Sequence, residues 1–146
     1  MASSPKEIFN RFYEAERTFQ ATPPETRDFS ILAATLSPDV KLYQSPDLPY
    51  GGEYTGHEGF LKLSREMFSR FDVVDLHEPK TFENGDDLVV VSEMRLRARK
   101  SAEESATPFV QVVKVDREKG VITEIRPFYW DVRGLSQLLG RAKFGL

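Results

Sequence analysis

The closing stretch of the chain constrains its fold most strongly. Residues 120–130 read as a turn followed by a long strand, Asp131 comes where that strand stops, and residues 132–140 read as a helix. Alternate side chains of an ideal strand point to opposite faces, so Ile122 and Phe128 should share one face of a sheet. A strand of this length needs partner strands, and the closing helix needs a surface to pack on. The stretch therefore predicts a domain that combines helices with a sheet.

Asp131 allows two interpretations. Asp is a good N-cap residue, so Asp131 could simply begin the helix that follows it. Its neighbours Phe128, Tyr129 and Trp130 are aromatic, and a carboxyl group that loses water beside such rings is favoured in its protonated form. A carboxyl group of that kind can exchange protons near neutral pH. The sequence leaves the structural and the catalytic interpretation open.

Composition excludes several classes of protein. The 146 residues are enough for one domain, residues 1–146, and a net charge of −3 gives no reason to expect nucleic acid as a partner. The chain has no cysteine and two histidines, so thiol chemistry is excluded and a metal site is not expected. No apolar run is long enough to span a bilayer, and the first residues do not resemble a signal peptide. We expect a cytoplasmic protein without a membrane partner.

Helices are predicted first and strands later. Apolar spacing and proline positions predict helices over about residues 5–20, 25–36 and 57–71. Strands are predicted over about residues 40–45, 71–81, 88–100, 107–116 and 121–130. Residues 37–39 read as a turn, and the proline- and glycine-rich residues 46–56 read as an ordered, bent loop without a further element. This order predicts an α+β fold in which helices cover one face of a curved antiparallel sheet.

Several short motifs, spread over nearly the whole chain, resemble those of one superfamily. They are Ser37-Pro-Asp-Val40, Tyr54-Thr-Gly-His-Glu-Gly59, Lys119-Gly-Val-Ile122, and Tyr129-Trp-Asp131 running into Gly134-Leu-Ser-Gln-Leu-Leu-Gly140. Their order and spacing are similar to those of the NTF2-like superfamily, which includes ketosteroid isomerase and the SnoaL-like polyketide cyclases. The resemblance implies a cone-shaped fold with a deep pocket between helices and sheet. It does not fix an activity, because this fold carries out many different functions.

The resemblance also implies roles for individual residues. Asp131 matches the acid with which the cyclases donate or accept a proton. This sequence has one more residue than the family between Ile122 and that acid. Without a β-bulge Asp131 could point out of the cone, whereas a β-bulge at Pro127 could absorb the extra residue. Phe128 and Trp130 would then line the pocket and contact substrate.

Comparison with ketosteroid isomerase gives further candidates. Ser45 stands where that enzyme has its base, and serine cannot remove a proton from carbon without a partner base. Gln111 matches the enzyme's second acid and could donate a hydrogen bond from its amide, or it could be a satisfied amide within the sheet. Tyr13 falls near the oxyanion tyrosine, although packing at the edge of the helix is an equally simple interpretation.

Four other polar residues are weaker candidates. Glu93 and Arg95 lie two apart on one strand and could form a half-buried pair in the pocket, or an ion pair at the surface or in a dimer interface. Tyr43 could line the pocket from the first strand or cover the helix above it. His57 could carry a proton near neutral pH, although it stands at the start of a helix where side chains are often solvated.

Two functions of different classes follow. The first is a cofactor-independent enzyme that moves a proton on a hydrophobic, ketone-bearing or polycyclic metabolite, with Asp131 as its main acid or base. Epoxide hydrolysis or dehydration on the same fold is a variant of it. The second is a binding module for a small molecule or a partner, without chemistry. In either case we expect a homodimer through the outer sheet face, since Val90, Met94, Leu96, Val110 and Val112 cannot all be covered by one layer of helices.

Overall fold

The computed structural model describes residues 2–144, with side chains described through Gly140. Its elements are α1 (Pro5–Ala21), a single 3-10 turn (Pro24–Thr26), α2 (Ser30–Ala33), β1 (Leu36–Gln44), β2 (Gly52–Thr55), α3 (Gly56–Arg70), β3 (Phe71–Asn84), β4 (Asp87–Ala98), β5 (Glu104–Asp116), β6 (Val121–Tyr129) and α4 (Val132–Phe144). Helices on one face of a curved sheet confirm the predicted α+β fold.

The strands form one six-stranded sheet in the order β2-β1-β6-β5-β4-β3. The β1–β6 pair is parallel and the other pairs are antiparallel. The inner face carries the core, and its side chains alternate along each strand with outward ones. On β4, for example, Val90, Met94 and Leu96 are at most 5% exposed, whereas Val91 is 38% exposed.

Helix α1 lies across the inner face of the sheet. It begins with a capping box, in which the Ser4 hydroxyl accepts a hydrogen bond from Glu7 N and the Glu7 carboxylate accepts one from Ser4 N. Ile8, Phe12 and Phe19 are buried along one side of the helix, as the apolar spacing predicts. The helix ends at Ala21, shortly before two prolines. Its position creates the space between helix and sheet that holds the candidate site.

The prediction was wrong in the segment between α1 and α3. The long second helix is reduced to the four residues of α2, and β1 already begins at Leu36, so that the expected turn at 37–39 is part of the strand. The expected loop contains β2, which pairs with β1 from Lys41↔Thr55 to Gln44↔Gly52. Gly52 adopts a φ of +124°, which side-chain-bearing residues rarely tolerate, so the glycine that suggested a loop instead permits the strand to start there.

The irregularity in β6 lies elsewhere than expected. The β5–β6 register is continuous from Phe109↔Tyr129 through Gln111↔Pro127 to Lys114↔Glu124, and it shifts only before Val115↔Ile122. The bulge is therefore next to Thr123 and not at Pro127. It turns Ile122 inward, where it is fully buried, while Phe128 points outward. The prediction that these two side chains share a face was wrong for this reason.

None of the helices in residues 2–144 is both long and apolar enough to cross a lipid bilayer.

Asp131 begins helix α4. Its Oδ1 accepts a hydrogen bond of 2.8 Å from Gly134 N, which satisfies one of the free amide groups in the first turn of the helix. A methyl group at Gly134 would overlap the carboxylate, so the bare glycine belongs to the same arrangement. Asp131 is exposed, because the chain leaves the sheet after Tyr129 and the neighbouring Trp130 is 81% exposed.

We expect Asp131→Ala to lower the free energy of unfolding by about 0.5–2 kcal/mol, the usual effect of removing an N-cap side chain. Asp131→Asn should be nearly neutral, because asparagine caps helices about as well as aspartate. Chemical denaturation of both variants and the wild type measures this. Equal losses in the two variants would show that the negative charge matters rather than the cap.

Candidate functional site

A cavity of about 430 Å³ lies between the inner face of the sheet and helices α1 and α3. Its wall is largely aromatic and aliphatic, and includes Phe12, Leu42, Phe60, Leu63, Met67, Phe68, Met94, Phe109 and Ile125. A pocket of this size can enclose a small organic molecule. The polar groups on this wall are the ones that would orient such a molecule.

Gln111 projects from the middle of β5 into the cavity and is 8% exposed. Val90 lies beside it on β4 and Pro127 on β6, and Phe109 precedes it on the same face. None of these three neighbours has a polar side-chain atom. The Gln111 amide has no hydrogen-bond partner among the residues that the structure describes. The alternative of a satisfied amide within the sheet therefore does not hold.

Two tyrosine hydroxyls and the Gln44 amide form a chain of hydrogen bonds near Gln111. The buried Tyr50 hydroxyl donates to Tyr129 Oη at 3.2 Å, and Tyr129 Oη donates to Gln44 Oε1, also at 3.2 Å. Burial raises the pKa of Tyr129 to about 12 and that of Tyr50 well above its ordinary value, so both hydroxyls keep their protons at neutral pH. With Gln44 and Gln111, this side of the cavity offers uncharged hydrogen-bonding groups.

Tyr13 lines the cavity from α1, but its hydroxyl is engaged by β3. It lies 3.3 Å from both Asp75 Oδ1 and Leu76 O, the possible acceptors of its proton, and it accepts from Leu76 N at 3.2 Å. Burial is the main cause that raises the pKa of Tyr13. These contacts attach α1 to the sheet, so the hydroxyl serves the fold in this structure and is not directed at the cavity.

Glu16 is a site residue that the sequence reasoning missed. It lines the cavity one turn after Tyr13 and makes no hydrogen bond or ion pair with any described residue. The side chain is half-buried, and neither carboxyl oxygen is among the fully buried, unpaired polar atoms of the described residues. Burial raises its pKa to about 7. The available signal was its spacing of four residues from Phe12, which places a carboxylate at the edge of the apolar side of α1.

Apart from Glu16, the charged residues on the cavity wall already have partners among the described residues. Arg27 Nε donates to Thr22 O, Arg99 Nε donates to Phe68 O, and the Arg17 guanidinium lies 5.5 Å from the centre of the Tyr13 ring. Asp72 forms an ion pair of 2.8 Å with Arg97 on the neighbouring strand, which lowers the pKa of Asp72. Gln44, Gln111 and Tyr129, by contrast, are uncharged and come from the adjacent strands β1, β5 and β6.

Three of the predicted site residues line the cavity: Tyr13, Tyr43 and Gln111. Tyr43 does so only by its position between Leu42 and Gln44. Its ring points away from Leu42 and is covered by the Arg126 guanidinium, which lies 3.9 Å from the ring centre.

The other predicted site residues lie outside the cavity. Glu93 and Arg95 form an ion pair of 2.7 Å on the outer face of the sheet, so the predicted pocket pair is a surface pair. His57 Nε2 donates to Leu36 O at 3.0 Å, and the imidazole packs edge-on against Phe29. Ser45 belongs to the turn after β1, where its Oγ accepts from Asp47 N.

The aromatic and acidic end of β6 lies outside the cavity as well. Phe128 and Trp130 are 52% and 81% exposed, and neither borders the cavity. Strand alternation explains this, because only Tyr129 of the three aromatics faces inward. Asp131 follows on the exposed side as a helix cap. The expectation that aromatic rings remove water from its carboxylate was therefore wrong.

Within residues 2–144, no cluster of three or more His, Cys, Asp or Glu side chains is arranged to hold a metal ion.

The burial of Glu16 should make stability depend on pH. In the folded state its pKa is about 7, whereas the ordinary value is 4.5, so the folded chain binds more protons between these pH values and loses stability as the pH rises through them. Glu16→Gln removes this effect. We expect the variant to gain about 2–3 kcal/mol in free energy of unfolding relative to wild type between pH 4 and pH 8.

Chemical denaturation at several pH values measures this difference. The matched control is Glu14→Gln, an exposed carboxylate on the same helix. If the difference in free energy of unfolding between Glu16→Gln and wild type stays constant from pH 4 to pH 8, the pKa of Glu16 is not raised and the prediction is wrong.

Comparison with solved structures identifies the fold. An NTF2-like protein of unknown function from Burkholderia pseudomallei is similar over 94% of this chain and 98% of its own, with 23% identity and a TM-score of 0.77. TerC, co-crystallised with polyporic acid, is 19% identical with a TM-score of 0.75, over 94% of this chain and 99% of its own. These values confirm the NTF2-like fold.

A third similar structure has a ketosteroid isomerase-like fold and comes from Catenulispora acidiphila. It was determined in complex with trimethylamine, and it is 18% identical with a TM-score of 0.68, over 92% of this chain and 95% of its own. No curated protein matches the sequence. The family model of the SnoaL-like domain, however, matches residues 9–125, which is most of the chain. The chain therefore belongs to the SnoaL-like domain family.

Proposed function

We propose that the protein binds a hydrophobic, uncharged small molecule with a carbonyl or hydroxyl oxygen in the cavity, and that it catalyses a proton transfer on this molecule without a cofactor. The observation that carries the proposal is the unpaired amide of Gln111 on the cavity wall. Its polar atoms are not among the fully buried, unpaired atoms of the described residues, so they face the cavity, where a ligand oxygen can accept a hydrogen bond from Nε2.

The distribution of charge supports an uncharged ligand group at this position. Gln44, Gln111 and Tyr129 offer amide and hydroxyl groups but no positive charge to balance a carboxylate or a phosphate. Apolar side chains that also line the cavity, such as Met94, Phe109 and Ile125, would contact the hydrocarbon part of the ligand. Two similar structures support binding of small molecules by this fold, since one was co-crystallised with polyporic acid and another was determined with trimethylamine.

A binding module without chemistry is the second candidate. It is favoured by one observation, that Asp131, Glu93 and His57 all lie outside the cavity. The proposed catalysis therefore depends on Glu16, whose carboxyl group lies on the cavity wall without a partner among the described residues. The outer-face position of Glu93 and Arg95 gives no support to the epoxide-hydrolase variant.

The ketone 2-tetralone and its hydrocarbon counterpart tetralin test the proposed role of Gln111. We expect Gln111→Leu to weaken binding of 2-tetralone about three- to tenfold, the effect of one lost hydrogen bond, and to leave binding of tetralin unchanged or slightly stronger. Titration calorimetry measures both. The control is Gln137→Leu, the same change at an exposed position of α4. The proposal is wrong if Gln111→Leu binds 2-tetralone as tightly as wild type, or if both ligands weaken equally.

We also propose that the protein forms a homodimer through the outer face of the sheet. Val91, Val110 and Phe128 stand side by side in one row across β4, β5 and β6, according to the register of these strands. Val91 and Phe128 are 38% and 52% exposed. No described helix covers this face, and a contiguous apolar row of this kind usually marks an interface. Val90, Met94 and Leu96 belong to the inner face and do not contribute.

Sedimentation velocity at micromolar concentration should show a dimer for the wild type and a monomer for Val110→Glu, because the substitution places a charge in the middle of the row. Ile31→Glu is the matched control, since Ile31 is 71% exposed but lies on α2. A monomeric wild type, or a Val110→Glu variant that remains dimeric, would exclude this interface.

A further inference from the structure

Glu16 and Gln20 lie one helical turn apart on α1, and both line the cavity. Residues four apart are neighbours on the surface of a helix, so the carboxyl group of one and the amide group of the other can meet. We propose that Glu16 is the catalytic residue that moves the proton in this cavity and that Gln20 is its positioning residue, which accepts a hydrogen bond from the protonated carboxyl group. This inference rests on the proposed function, because it assumes a carbonyl compound in the same cavity.

The orientation of Gln20 supports this assignment independently. Its Nε2 donates to Ser64 Oγ on α3 at 2.6 Å, which fixes the plane of the amide. Its Oε1 is buried and has no donor among the described residues. A buried carbonyl oxygen without a donor is unusual, since nearly all such groups are paired. The carboxyl group of Glu16, one turn away on the same helix, supplies such a donor when it is protonated, and burial raises its pKa to about 7.

The other charged groups around the cavity do not compensate the charge of Glu16. On α1, Arg17 covers the Tyr13 ring, and after the helix Arg27 donates to Thr22 O and Gln20 O. Arg99, which follows β4, donates from Nε to Phe68 O.

The other acidic groups that line the cavity, Asp72 and Asp75, belong to β3. Asp72 pairs with Arg97, and Asp75 lies 3.3 Å from the Tyr13 hydroxyl. Glu16 can therefore change its protonation state without breaking an ion pair of the described chain, as a group that both takes and returns a proton must do.

The chemistry is an enolisation, and it needs no further reactant. The Glu16 carboxylate takes a proton from the carbon next to the ligand carbonyl, and the C–H electron pair becomes the new carbon–carbon double bond. The carbonyl π electrons move to the oxygen, which accepts a hydrogen bond from Gln111 as it gains charge. The protonated Glu16 is held by Gln20 Oε1 until it returns the proton to the same carbon or to another one, which completes an exchange or an isomerisation.

Hydrogen–deuterium exchange at C1 of 2-tetralone tests this step directly. Proton NMR in D₂O records the loss of the C1 signal with wild type, Glu16→Gln and Asp131→Asn. We expect wild type to exceed Glu16→Gln by about 10²–10⁴-fold, the usual contribution of a general base, and Asp131→Asn to match wild type. Equal rates for wild type and Glu16→Gln would overturn the assignment, and so would a loss of exchange in Asp131→Asn.

Binding separates this result from the proposed function. Glu16→Gln should still bind 2-tetralone with an affinity close to that of wild type, because the amide of Gln111 is untouched. If binding is retained and exchange is the same in both proteins, the cavity binds the ketone and the catalytic assignment alone is wrong. If wild type binds neither 2-tetralone nor tetralin, the proposed function is wrong, and this inference is wrong with it.

The positioning role of Gln20 has its own readout, the pH dependence of the exchange rate. The rate with wild type should rise with pH and reach half its maximum near pH 7, where the carboxylate forms. Gln20→Met removes the acceptor of the protonated carboxyl group and should shift this midpoint to lower pH. An unchanged midpoint, or a shift to higher pH, would contradict the proposed hydrogen bond. If the amide NH₂ group faced Glu16 instead, it would stabilise the carboxylate, and its removal would raise the midpoint.

Discussion

The attachment of α1 to the sheet is the interaction on which the rest of this structure depends. The Tyr13 hydroxyl lies within hydrogen-bonding distance of Asp75 and Leu76 on β3, and the Tyr13 ring stacks on Phe9 at 6.1 Å between centroids. Phe12 meets the edge of Phe60 from α3 at 6.0 Å. These contacts hold the helix over the concave face without filling the space below it. The cavity therefore exists because aromatic packing supports α1 along its length.

The same arrangement decides which polar groups can meet a ligand. The sheet contributes Gln44, Gln111 and Tyr129, all uncharged, from three adjacent strands. The helix contributes Glu16, whose pKa burial raises to about 7, so that carboxylate and carboxylic acid are both present near neutral pH. A carbonyl compound between them would have hydrogen-bond donors on the side of the sheet and a proton acceptor on the side of the helix. That combination stabilises the charge that develops on oxygen when a neighbouring carbon loses a proton.

Much of the fold could be predicted from the sequence, because periodic apolar spacing identifies α1, α3 and the strands from β3 to β6. Strand β2 could not be predicted, because the glycines and prolines of its segment are typical of loops. Only its pairing with β1 makes it a strand. Gln111 was found through the family resemblance. Asp131 was wrongly favoured as the catalytic acid, because the aromatic residues next to it in the sequence do not surround its carboxylate in the structure. Glu16 was missed because a carboxylate at the edge of a helix is usually solvated.

The most direct test of this account is the NMR signal of the Gln111 side-chain NH₂ group during a titration with 2-tetralone. If the unpaired amide binds the ligand oxygen, its proton and nitrogen shifts should move in step with the binding measured by calorimetry. The NH₂ signal of Gln137, exposed on α4, should stay unchanged. A Gln111 signal that stays fixed while 2-tetralone binds would contradict the account, because the ligand would then occupy another part of the molecule.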